Sequence, residues 1–172
     1  MHSFAPVINL HTRVLIVGSM PGEASLLAQE YYAYKHNQFW KLIFDIFEQG
    51  RSPLNYTDKK HTLLSHQIGL WDSLATCTRT GSLDSAISHP KPNDFPALFK
   101  KYPAVHTLLF NGQAAARYFK KFQGDISHKT FYILPSTSPA HATLSYLEKR
   151  KIWERILQDA LKKPYAPARE LL

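Results

Sequence analysis

The sequence predicts an α/β fold built on a parallel sheet with helices on both faces. Three observations carry that expectation. Short apolar or β-branched runs alternate along the chain with segments of helical periodicity. The first run, Val14-Leu15-Ile16-Val17, lacks the polar alternation of a half-exposed strand and reads as one buried on both faces. The stretches richest in Gly, Pro, Ser and Asn follow these runs, at the carboxyl ends of strands, where α/β proteins bind ligands.

Taken in order, residues 1–13 read as an irregular arm, and the first strand as 14–17. Gly18-Ser19-Met20-Pro21-Gly22 turns the chain sharply and allows a close approach to a ligand. Asn37 precedes a helix from Gln38 to Phe47 as its N-cap, and Gly50 ends it. Phe39, Trp40, Ile43, Ile46 and Phe47 fall at core-facing spacing. Thr57 caps a helix to about Gln67, stopped by Gly69, and a second strand runs Leu70–Leu74. Residues 75–92 read as a long surface loop. Asn93 caps a helix through Lys101, with Pro96 tolerated in its first turn. A third strand spans Val105–Phe110, a helix Gln113–Phe122, and a fourth strand Thr130–Leu134. The final amphipathic helix runs from about Leu144 to Lys162 with Ile152, Ile156 and Ala160 on its apolar face. The tail 164–172 reads as loosely attached.

With 172 residues, one domain over 1–172 is expected, and 44% apolar content suits a packed core. The net charge of +8 favours a polyanionic partner, nucleic acid first. The lone Cys77 excludes an internal disulfide and a cluster held by four cysteines, and fits a reducing, cytoplasmic setting. No signal peptide and no membrane-spanning run are expected. A monomer is the default for this size.

Five motifs resemble the uracil-DNA glycosylase superfamily, in the branch of the mismatch-specific uracil/thymine-DNA glycosylases, and within it the hypoxanthine (deoxyinosine) DNA glycosylases. They are GSMPG at 18–22, YYAYKHNQFW at 31–40, GLWDSLATCTRTGSLDSAI at 69–87, FNGQAA at 111–116 and LPSTSPAHA at 134–142. They stand in family order over about two-thirds of the chain. The resemblance implies a three-layer α/β/α sandwich with a central four-stranded parallel sheet. It also implies base-excision repair: a deaminated base, hypoxanthine first and uracil second, is flipped out of double-stranded DNA and cut from its sugar. No cofactor and no metal are implied.

Such chemistry needs an aromatic wall, polar contacts to the base, a positioned water and phosphate contacts, because an oxocarbenium-like charge develops on the sugar. Met20 departs from the uracil-removing relatives, which often place a water-activating Asn or Asp there; methionine takes no proton. The resemblance shifts the catalytic role to Asn37, which holds a water and favours the cation, or else serves only as a helix cap. Tyr32 is implied to stack on the base, and Ser19, Met20, Pro21 and Gly22 to surround it. Asp72, if ionised, is suited to accept from hypoxanthine N1–H, or is a structural turn former. Ser136, Thr137 and Ser138 are suited to phosphate contacts, and Pro139, Ala140 and His141 to wedging into the gap left by the base. Asn111 and Gly112 open a helix whose free N–H groups suit phosphate. Arg79, Thr80, Gly81, Ser82 and Asp84 either touch DNA or brace the pocket. Leu134 stands where relatives often have His or Asn.

Other chemistries fail on spacing. The serine is misplaced for a G-x-S-x-G elbow, no Gly-Lys-Ser/Thr follows for a P-loop, and no H-E-x-x-H occurs. The competing reading is a non-catalytic DNA- or nucleotide-binding module.

Overall fold

The computed structural model describes residues 1–53, 55–123 and 129–163. The tail 164–172 lies outside them. The elements are β1 (Val14–Gly18), α1 (Glu23–Ala28), α2 (Phe39–Phe47), α3 (Tyr56–Ser65), β2 (Ile68–Asp72), β3 (Leu74–Thr78), a 3-10 turn (Asp84–Ala86), β4 (Ser88–Pro92), α4 (Phe95–Lys101), β5 (Thr107–Asn111), α5 (Gln113–Gln123), β6 (Thr130–Leu134) and α6 (Tyr146–Lys162).

The central sheet has four parallel strands in the order β2-β1-β5-β6. Side chains alternate across a strand, so β1 divides its apolar run between two layers. Val14 and Ile16 join Phe39, Ile43, Phe44, Trp153 and Leu157, from α2 and α6. Leu15 and Val17 join Phe95, Leu98, Ala115 and Phe119, from α4 and α5. The three-layer sandwich follows directly. Each large aliphatic side chain in these layers, cut to alanine, costs about 2–5 kcal/mol. On α6 the fully buried residues are Trp153, Leu157 and Ala160, while Ile152 and Ile156 flank them half-buried.

Three boundaries differ from the sequence expectation. Strand β2 begins at Ile68, so Gly69 sits inside it rather than ending α3. A Cβ there would lie 2.8 Å from the Val7 carbonyl oxygen, because the N-terminal arm pairs with this edge through Val7 and Leu70. Gly69→Ala is therefore expected to lower stability by about 1–3 kcal/mol, as overpacking does, read as a fall in the denaturation midpoint. The caps also move. Asn55, not Thr57, accepts the Asp58 N–H of α3 at 2.8 Å, and Asp94, not Asn93, accepts the Ala97 N–H of α4 at 2.9 Å. Asn93 instead donates to the carbonyls of Asp72 and Leu74.

The segment read as a surface loop holds a small antiparallel hairpin, β3 with β4. Two prolines hide β4 from a propensity reading, yet it has a single partner strand, where proline is tolerated. Helix α1 and the Ser145 capping box on Glu148 were likewise unforeseen. Gly50 behaves as expected: at φ +81° its N–H closes α2 on the Phe44 carbonyl at 2.9 Å.

Candidate functional site

The strand order reverses direction between β1 and β5, the position at which open α/β sheets form a crevice. A cleft of about 500 Å³ opens there, over the carboxyl ends of the sheet. Gly18 to Gly22 form its floor after β1, Asp72 closes β2, Asn111 closes β5, and residues 136–140 follow β6. Tyr32 and Asn37 line the same cleft. Gly112 and His141 do not line it.

The Tyr-rich segment is pinned from several sides. Trp40 Nε1 donates to the Tyr31 carbonyl at 2.8 Å, Ala33 N–H donates to Ser25 Oγ at 3.1 Å, and Asn37 N–H donates to the Tyr34 carbonyl at 2.8 Å. Tyr32 between them takes φ +57°, an uncommon conformation for a bulky residue. That turn lays its ring on Phe39, with centroids 4.0 Å apart and planes 24° from parallel. Burial, with Asp72 as the next cause, raises the Tyr32 phenol's pKa well above its ordinary value and keeps it neutral.

Asn37 is not the formal cap of α2; that position is Gln38, whose side chain makes no capping bond. Asn37 Oδ1 nevertheless accepts the Phe39 N–H at 3.0 Å. This bond orients the amide and leaves a second lone pair and the Nδ2 donors for the cleft. Gln38 N–H donates to the Thr137 carbonyl at 3.0 Å, tying the segment to the loop after β6.

That loop is held from below. Trp153 Nε1 donates to the Pro135 carbonyl at 2.9 Å, and buried Lys149 donates to the His141 carbonyl at 2.6 Å. Asn111 and Thr137 clasp one another: Asn111 Nδ2 donates to Thr137 Oγ1 at 2.8 Å, and Thr137 N–H donates to Asn111 Oδ1 at 2.9 Å. Thr137 is fully buried, whereas Ser136 and Ser138 are half-exposed on the loop. Gly112 has φ +95° and fits under Ser136, where a Cβ would stand 3.0 Å from the serine Cβ.

Residues 79–84 brace the floor. Buried Arg79 donates to the Pro21 carbonyl, Ser82 Oγ accepts the Glu23 N–H at 3.0 Å, and Gly81 N–H reaches Glu23 Oε1 at 3.1 Å. Ser19 Oγ donates to Asp84 Oδ1 at 2.6 Å, and Asp84 lines the cleft. Met20 is buried with Leu74, Cys77 and Tyr118, its side chain anchoring the floor to the hairpin.

Asp72 is 3% exposed. Its Oδ2 accepts from Ser3 Oγ of the N-terminal arm at 2.6 Å. Burial raises its pKa from 3.8 to about 7; the Ser3 hydroxyl and Arg79 oppose that rise and Asp84 adds to it. The folded chain thus binds a proton that the unfolded chain has already released. The stability from this group is complete below about pH 4 and is lost as pH rises through about 7. Asp72→Asn is expected to raise Tm at pH 8 and leave it nearly unchanged at pH 4, measured by thermal melts at both.

Ser3 and Lys149 escaped the sequence reading, since a serine in an arm and a lysine in a helix carry no local signature. Asp84 was legible only as a member of its loop.

Fold and cleft together define a parallel α/β protein with a cleft over the carboxyl ends of its sheet, walled by aromatic, amide and carboxyl groups. Residues 5–160 match the model of the uracil DNA glycosylase superfamily, and the chain belongs to that superfamily. It is 33% identical over 155 residues to the "Hypoxanthine DNA glycosylase" of Methanosarcina acetivorans, covering 90% of this chain and 96% of the relative. It is 35% identical over 115 residues to the protein of that name from Methanosarcina barkeri, covering 67% of this chain and 73% of the relative. A solution NMR structure from Methanosarcina acetivorans, of a protein provisionally named a uracil DNA glycosylase, superposes with TM-score 0.79 at 31% identity. That match covers 92% of this chain and 97% of the other. No helix among the described residues is long and apolar enough to cross a membrane.

Proposed function

We propose that residues 1–172 form a single, monomeric, cytoplasmic DNA glycosylase domain that removes a deaminated base from double-stranded DNA, hypoxanthine first and uracil second. The observation that carries the reading is the convergence of Tyr32, Asn37 and Asp72 on one cleft. The relatives named for hypoxanthine supply the base preference.

A base cannot be attacked within the duplex, so the nucleotide rotates outward into the cleft. The base then stacks on Tyr32, a contact worth about 1–3 kcal/mol. Ser19, Pro21 and Gly22 border its edge, with Met20 packed beneath. As the glycosidic bond stretches, positive charge grows on the sugar. The Asn37 carbonyl oxygen favours that charge and holds the attacking water, while its Nδ2 donates toward the base. Ser136 and Ser138 contact phosphate. Pro139 and Ala140, which line the cleft, fill the vacated stack, with His141 following them outside it. Asn111, Gly112 and Thr137 fix the loop that presents them.

The test is release of free base from duplexes holding inosine, uracil, a thymine mismatch or xanthine. Hypoxanthine release is expected to be largest, leaving abasic sites without strand cleavage. Binding that weakens steeply with salt, with no base released from any duplex, would instead support the non-catalytic module.

A further inference from the structure

We propose that Asp72 is the acid that delivers a proton to the departing purine, an assignment that rests on the glycosylase reading above. Asp72 ends β2 at the cleft, buried and lining it. Its two oxygens have different surroundings. Oδ2 is occupied by the Ser3 hydroxyl. Oδ1 stands over Gly18, 2.5 Å from where a Cβ would be, and has no hydrogen-bond partner among the described residues. The same point lies 3.3 Å from the Tyr32 hydroxyl oxygen, so the carboxyl and the proposed stacking ring meet over one glycine.

The surroundings favour the protonated carboxyl. Tyr31 and Tyr32 face it from the loop after α1, and Tyr56 from α3, all as neutral phenols. Asp84 of the 3-10 turn opposes a second negative charge in the same cleft. The cation that opposes this is Arg79, whose hydrogen bond goes to the Pro21 carbonyl and whose Nε and one terminal nitrogen lack partners among the described residues. A carboxyl kept neutral by its site can donate where an ordinary aspartate cannot.

A purine gains most from such a group. Uracil leaves as an anion spread over its two carbonyls, whereas a purine leaves far more readily once N7 is protonated. In this step the C1′–N9 bond breaks and its electron pair passes to the purine. The Asp72 proton moves from Oδ1 to N7, and hypoxanthine departs neutral. Water adds to C1′ and gives up one proton, which restores the acid. Asp72 therefore meets the base as a donor rather than as an acceptor for N1–H.

The experiment is the pH profile of single-turnover hypoxanthine release from an inosine duplex, with Tm recorded at every pH. The wild-type rate is expected to be level below about pH 7 and to fall about tenfold per unit above it. Asp72→Asn, nearly isosteric, is expected to be about 100-fold slower or more at pH 6 and to lack the fall. Ser3→Ala removes a bond that favours the ionised carboxyl and should move the fall to higher pH. An Asp72→Asn profile that keeps the wild-type fall, or a Ser3→Ala profile superposed on wild type, would overturn the assignment. No release by the wild type at any pH would instead overturn the glycosylase reading, and this assignment with it.

Discussion

Asn37→Ala is expected to release hypoxanthine about 100- to 1,000-fold more slowly than the wild type. That is the usual loss when one preorganised group facing the developing charge is deleted. The result must be separated from a folding effect, because Asn37 Oδ1 also accepts the Phe39 N–H. Losing that bond costs about 1 kcal/mol, or about 2–4 °C in Tm for a domain of this size. Asn37→Ser makes the separation. A serine oxygen restores the bond to the start of α2 but offers neither the amide carbonyl nor its two donors. Asn37→Ser is expected to melt like the wild type and to react as slowly as Asn37→Ala. Full turnover by Asn37→Ser would reduce Asn37 to a helix-capping residue.

Replacing Tyr32 tests the other wall of the cleft. Tyr32→Leu keeps apolar volume against Phe39 and removes the flat face. It is expected to weaken binding of an inosine duplex about 5- to 150-fold, the equivalent of one lost stacking contact. Tyr32→Phe keeps the plane, and since the phenol is held neutral in the wild type, loss of its hydroxyl should change binding little. Both variants keep a β-carbon at φ +57°, so neither gains the backbone relief that glycine would bring. Equal weakening in Phe and Leu variants would assign the effect to the hydroxyl rather than to the ring. Titration of fluorescently labelled duplex at fixed salt decides the matter.

Much of this architecture is readable from residue order. Val14 to Val17 announces a strand buried on both faces because no polar residue interrupts it, and the parallel sheet follows from strands that alternate with helices. The Phe39-Trp40 pair marks the start of a core helix, and its indole then fixes the turn that carries Tyr32. What resisted reading depends on distant partners. Gly69 looks like a helix stop until the arm is seen to lie against it. Ser88 to Pro92 looks like a loop because two prolines remove ladder donors, and only the pairing with β3 makes it a strand. At the site, motif order brings Tyr32, Asn37 and Asp72 forward as candidates. The raised pKa of Asp72 was out of reach, since it comes first from burial in the folded cleft and is then adjusted by Ser3, Asp84 and Arg79, three residues with no common spacing. Asn111 and Thr137 were each read as facing DNA, while their clasp across two loops needed coordinates.

The most direct measurement is a crystal structure of Asn37→Ala bound to a duplex carrying one inosine, a variant slow enough to hold the intact nucleotide. The hypoxanthine ring is expected outside the helix, flat against Tyr32, with Asp72 at its edge. An inosine still stacked between its neighbours in the bound duplex, or a flipped base seated away from Tyr32, would contradict it.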